Sequence, residues 1–210
     1  MGVEPVRRAG GIPSEARLTR LSNDEGWATW LFGDSSARTG FDIRSTAEGD
    51  LPAVQAIYAH HVLTGAASFE LDPPDRDEIR QRWSAIIAGG YPHLVAAEGG
   101  EILGYAYAGA YRPRPAYRYS VEDSVYVRAD RHGRGLGRAL LDRLIAECER
   151  RGFRQMIAVI GDNLPASIVL HRAAGFEHAG RMRAVGHKFG RWRDTTLMQR
   201  ALGPGDGASP

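Results

Sequence analysis

The chain of 210 residues has one cysteine, Cys148, so no intrachain disulfide can staple it. Lysine is as scarce. Lys188 is the single lysine among 27 basic residues, and so strong a preference for arginine leaves any one arginine little functional weight. Acidic residues nearly balance the basic ones at a formal net charge of +2, and no basic block interleaved with aromatics offers a nucleic-acid footprint. No apolar run is long enough to span a membrane, no His, Cys or Asp cluster has metal-ligand spacing, and there are no internal repeats. The start lacks the apolar core of a secretory signal, and its interspersed acids argue against an arginine-rich transit leader, so the expected location is cytoplasmic. What is present is a 43% apolar composition, which suits one domain with an appendage or two very small domains.

The most informative stretch runs from Ser120 to Arg151. In its first part Val121, Val125 and Val127 are β-branched while Glu122, Ser124 and Tyr126 take the alternate positions, which predicts a strand. A basic, glycine-rich turn follows, His132-Gly133-Arg134-Gly135-Leu136-Gly137. Leu136, Leu140, Leu141, Leu144, Ile145 and Cys148 then recur as the apolar stripe of a helix that Gly152 stops. Cys148 on that stripe reads as a buried small hydrophobe, not a nucleophile. A glycine-rich turn opening a helix gathers unpaired N–H groups at the positive end of the helix dipole and favours an anion such as a pyrophosphate; the same glycines also suit a plain tight connection. A P-loop and a dinucleotide fingerprint both fit poorly, for there is no Gly-Lys-Ser/Thr and no GxGxxG.

Residues 1–40 show little sustained periodicity and are expected to form a poorly ordered extension. Within it Trp27, Trp30, Leu31 and Phe32 read as a helical turn docked on the body or a weakly ordered tail, with a partner-binding motif as the alternative. Phe41-Asp-Ile-Arg begins a strand, and Ser45-Thr46 can cap the helix that Leu51, Val54, Ile57, Tyr58 and His61 mark out. A second helix is expected from Asp77 to Ala88 on Ile79, Trp83, Ile86 and Ile87. His93 to Ala97 and Ile102 to Tyr111 read as a hairpin around Gly99-Gly100. Arg112 to Arg118 is a proline-stiffened loop able to clamp a carboxylate or simply to face solvent. Gln155 to Ile160 is a buried strand, Asn163 starts a helix with Pro165 in its first turn, and Glu177 to His187 with Trp192 to Ala201 form a second hairpin. Residues 203–210 are expected to be a disordered tail. Strands and helices interleave without strict alternation, so the expected class is α/β with a mixed sheet and helices on both faces.

The glycine turn with its apolar helix, and Asn163 to Phe176 as NLPASIVLHRAAGF, resemble the acetyl-CoA-binding core of the GCN5-related N-acetyltransferases. VEDSVYV at 121–127 and VGHKFGRW at 185–192 are similar to the phosphinothricin and methionine sulfone/sulfoximine acetyltransferase branch. The similarity runs from about Phe41 to Leu202 and implies an N-acetyltransferase domain over 41–202 with that superfamily's central, mixed and mostly antiparallel sheet. It implies acetyl-CoA as co-substrate, without a metal. The pyrophosphate would lie on the amides of Gly133, Arg134, Gly135, Leu136, Gly137 and Arg138, and the pantetheine arm beside Val125, Tyr126 and Val127 like an added strand. Asn163 and Ser167 would bond the pantetheine amides, although Asn-x-x-x-Ser is one residue longer than the usual spacing. His132 stands where the superfamily has Gln or Arg, which implies a weaker or pH-sensitive contact. Glu122 would be the base that deprotonates the amine, and His171, where many members have Tyr, a general acid or a structural residue. Phe69, Arg112, Tyr117, Glu122, Asp123, Ser124 and Lys188 would border the acceptor. The implied reaction is direct attack in a ternary complex by a small amine, the α-amino group of a phosphinothricin, methionine sulfoximine or methionine sulfone type of compound. The implied assembly is a homodimer with no nucleic-acid or membrane partner. Two alternatives stay open: acetylation of peptide or protein amines, and a non-catalytic acyl-CoA sensor.

Overall fold

The computed structural model describes residues 40–209. Apart from Gly40, the expected N-terminal extension with Trp27, Trp30, Leu31 and Phe32 lies outside the described residues. Seven strands and four α-helices follow in the order β1 (Asp42–Ser45), α1 (Leu51–Thr64), α2 (Arg76–Ala88), β2 (His93–Glu98), β3 (Glu101–Ala110), β4 (Ser120–Val127), α3 (Leu136–Arg150), β5 (Gln155–Gly161), α4 (Pro165–Ala173), β6 (Glu177–Lys188) and β7 (Arg191–Ala201). They build one mixed sheet in the order β1-β2-β3-β4-β5-β7-β6. Every pairing is antiparallel except that of β4 with β5.

Helices cover both faces. On one, α3 buries Leu136, Leu140, Leu141, Leu144, Ile145 and Cys148 against Phe41, Leu94, Leu103 and Met156, each large side chain contributing about 1.5–3 kcal/mol. On the other, α1 sets Leu51, Val54, Ile57, Tyr58 and Val62 against Val95, Tyr105 and Tyr126. Strand β4 therefore serves two cores, Val121 facing α3 and Tyr126 facing α1. The β2–β3 turn needs Gly99 and Gly100, whose φ of +57° and +88° match the two-residue hairpin geometry.

Some local expectations differ from the structure. Ser45-Thr46 does not cap α1: the Thr46 hydroxyl lies 2.7 Å from His93 Nδ1, and a 3₁₀ turn at Glu48–Asp50 leads into the helix, with Asp50 accepting from the Ala47 N–H at 2.8 Å. Asp75 caps α2 by accepting from Glu78 N–H at 2.8 Å, so the helix begins at Arg76 and not at Asp77. Ile87 is exposed because α2 joins the core through Ile79 and Trp83. After β7 the Gly205 N–H bonds to Leu202 O and the Gly207 N–H to Pro204 O.

Candidate active site

Strands β4 and β5 pair only from Ser120↔Gln155 to Asp123↔Ala158. Beyond that point each keeps its other neighbour, β4 with β3 to Val127 and β5 with β7 to Gly161, so the two strands part inside the sheet. The parting leaves an edge of β4 without a strand partner and opens a cleft of about 600 Å³. Ser124, Val125, Tyr126 and Val127 form one side, and Val159, Ile160 and Gly161 the other. His61, Gly65, Ala66 and Ala67 reach it from the α1 face, Leu136, Gly137, Leu164 and Leu170 from the α3 and α4 face. The cleft is thus a slot through the sheet.

At one end lies the glycine turn. Gly135 precedes α3 with φ +78°, a conformation costly for residues with a Cβ, and no side chain caps the helix. A Cβ there would meet nothing, and Gly133, Gly135, Leu136 and Gly137, at the helix end whose first N–H groups lack intrahelical partners, line the cleft. Arg134 is committed to Glu98 through bonds of 2.7 and 3.1 Å, and Arg138 to Asp142 at 2.7 Å. What the turn offers the slot is therefore main chain, which fits a pyrophosphate. The exposed His132 has Nε2 3.3 Å from Val127 O, a carbonyl that also accepts from His61 Nε2 at 2.9 Å. Burial lowers the His61 pKa; the Val127 carbonyl opposes this, and His60 and His132 add to it.

On the α4 side stands a buried His171–Asp123 pair. His171 Nδ1 lies 2.7 Å from the Ser167 carbonyl, and Nε2 lies 3.0 Å from an Asp123 carboxylate oxygen. The Ser167 carbonyl and the Asp123 carboxylate both accept, an arrangement that favours the protonated ring, while the Ser167 hydroxyl also lies 3.3 Å from Nδ1. Burial works against that charge, but the hydrogen bond and charge of Asp123, helped by Ser167, raise the His171 pKa overall. The other Asp123 oxygen is buried without a partner, and both residues line the slot. Glu122, the next residue on β4, points to the opposite face. Burial raises its pKa, Arg112 pulls it down, and Asp123 pushes it up.

The acetyltransferase (GNAT) domain family matches residues 43–197. The chain belongs to the GNAT acetyltransferases. A phosphinothricin N-acetyltransferase of Alcaligenes faecalis is 53% identical over 179 residues, 85% of this chain and 91% of that protein. An L-methionine sulfoximine/L-methionine sulfone acetyltransferase of Pseudomonas paraeruginosa is 46% identical over 164 residues, 77% of this chain and 95% of that one. A solved GNAT phosphinothricin acetyltransferase from Sinorhizobium meliloti, in complex with AcCoA, matches with a TM-score of 0.80 at 48% identity, covering 81% of this chain and 93% of that one.

Within this GNAT fold, Val125, Tyr126, Val127, His132, Gly133, Gly135, Leu136, Gly137, Arg138, Ser124, Asp123, Ser167 and His171 all line the slot. Asn163 does not. Its side chain accepts from Thr196 Oγ1 at 2.5 Å and faces Asp194, held there by a left-handed backbone at φ +51°. Arg112 lies over the Tyr111 ring at 4.2 Å, and Tyr117 meets that ring edge-on at 5.7 Å, so these three residues form an aromatic–guanidinium cluster whose Arg112 acts on Glu122. Phe69 and Lys188 stand behind the slot wall, not in it. Ala66 and Ala67 belong to the Thr64–Glu70 loop, which by resemblance borders the acceptor or is an ordinary connection, and they line the slot; no motif marks His61 or Arg131, and only tertiary packing brings them there. Among the described residues no group of His, Cys, Asp and Glu could hold a metal.

Proposed function

We propose that this GNAT protein transfers an acetyl group from acetyl-CoA to the amino group of a small amino-acid analogue of the phosphinothricin, methionine sulfoximine or methionine sulfone type. The observation that carries the reading is the slot itself: orphaned amides at its glycine end, a bare strand edge along its length, and titratable groups of opposite character at its inner end. The names of close relatives support the acceptor class. Gly133 to Arg138 hold the pyrophosphate through their amides, and β4 holds the pantetheine arm through its unpaired edge. Bound there, acetyl-CoA supplies an acetyl group at a thioester carbonyl.

An alkyl ammonium is no nucleophile until it loses a proton. Glu122 takes that proton, and its raised pKa makes it a stronger base than an exposed glutamate. Arg112 holds the acceptor's anionic group on the same face, where the stack on Tyr111 fixes the guanidinium. His171 keeps a proton at Nε2 against Asp123 at the inner end of the slot. Asp123 thus acts through His171, not on the acceptor. Asn163 orders the β5–α4 connection and does not reach the pantetheine. A homodimer completes the reading, because Met182, Val185, Phe189 and Trp192 of the β6–β7 hairpin are each large, apolar and exposed.

The test is thiol release from acetyl-CoA in the presence of a panel of amino-acid analogues, peptides and amines. Turnover with the small analogues and none with peptides is expected. Acetyl-CoA binding with no turnover on any amine would leave a binding module instead.

A further inference from the structure

The loop from Gly65 to Glu70 contributes Gly65, Ala66 and Ala67 to the slot and then turns away from it. Its position depends on what holds Ser68 and Phe69. The Ser68 hydroxyl shares a hydrogen bond of 2.9 Å with Tyr58 of α1, and Glu70 pairs with Arg82 of α2 at 2.7 Å. Both contacts come from the helical layer. The third comes from the far hairpin: Lys188 Nζ donates to the Ser68 carbonyl at 2.7 Å.

Lys188 is only 2% exposed, and an ammonium is costly to bury. Its charged surroundings offer little relief. Arg193, also buried, is beside it and donates to its carbonyl at 3.2 Å, and that guanidinium is already paired with Asp162. Glu70 favours the charge from across the loop, yet desolvation and Arg193 together hold the Lys188 pKa below its ordinary range. Arginine fills every other basic position of this chain, so the exception is informative. A planar five-donor fork needs several acceptors, whereas an ammonium can end on one carbonyl in a narrow space. The Phe69 ring completes the joint. It rests against Gly161 at the end of β5 and Gly186 of β6, where any Cβ would overlap it.

We propose that Lys188 is a positioning residue, tying the β6–β7 hairpin to the Ser68 carbonyl and so fixing the Gly65, Ala66 and Ala67 wall of the slot. The kinetic part rests on the acetyltransferase reading; the structural part does not. In Lys188→Met, which keeps the stem and removes the donor, hydrogen exchange of amides 65–70 should rise about tenfold while that of β6 and β7 stays unchanged. KM for the amine should rise about tenfold or more, with acetyl-CoA affinity by calorimetry within about twofold. Lys188→Arg retains cation and donors and should recover part of the loop protection. Unchanged loop exchange in Lys188→Met, equal behaviour of the Met and Arg variants, a joint rise of both KM values, or loss of the fold would each overturn the proposal. If the wild-type protein acetylated no amine, the functional reading would fall, and the exchange experiment would still decide the role of Lys188.

Discussion

Glu122 and His171 are the two residues whose proton affinities are moved most usefully, and in both the cause can be tested. Replacing Glu122 by Gln should lower kcat by about 10²–10⁴-fold with little change in acetyl-CoA affinity by calorimetry. Because burial raises the Glu122 pKa, the acid limb of kcat/KM should lie above the usual glutamate value of about 4.3. Arg112 opposes that rise, so Arg112→Ala should move the limb to still higher pH, visible in a pH–rate profile. For His171 the consequence is one of stability. Its folded pKa is raised, so the pair with Asp123 stabilises fully below the unfolded imidazole value of about 6.5, and that contribution is lost as pH rises through the folded value. His61 and His93, both lowered by burial, act in the opposite sense, since the folded state resists protonating them. Comparing Asp123→Asn with the wild type in thermal melts from about pH 6 to 9 isolates the pair, and only the wild type should show its loss. The sequence motif marked Glu122 and His171 as candidates. It could not show that His171 is paired with Asp123, 48 residues away, or that His61 meets Val127 across 66 residues, since neither depends on local pattern.

At the level of elements, the hairpins and helices were legible because their signals are local. Gly99-Gly100, the leucine stripe of α3 and Pro165 at the start of α4 each fix their own surroundings. The parting of β4 from β5 was not legible from residue types alone: it is a property of two registers, and nothing within either strand states where pairing with the other ends. Thr46 likewise left its expected capping role because His93, a tertiary neighbour, competes for its hydroxyl. Close approach of elements gives the next test. Gly186→Ala places a methyl group into the Phe69 ring, so urea unfolding should show destabilisation by about 1–3 kcal/mol. The amine KM should rise as the loop is displaced, while acetyl-CoA affinity should hold.

For the molecule as a whole, the β6–β7 hairpin ends in a tip that a lone subunit leaves wet. Trp192 is 67% exposed and Phe189 54%, and Phe189 stands at φ +54°, a conformation bulky side chains rarely take. If two copies cover this surface, Trp192→Arg should shift the sedimentation coefficient from dimer to monomer at micromolar concentration, with the melting temperature becoming independent of protein concentration. An unchanged sedimentation profile would place the contact elsewhere.

The burial of Lys188 has one more consequence. A catalyst that works beside a reactive thioester risks modification of its own side-chain amines, yet this chain exposes no ε-amine in its described residues and has no second lysine anywhere. Guanidinium groups stay protonated and do not compete as nucleophiles. The single ε-amine is therefore shielded from that reagent, and an amine-directed label should leave Lys188 unmodified in the folded protein and reach it only after unfolding.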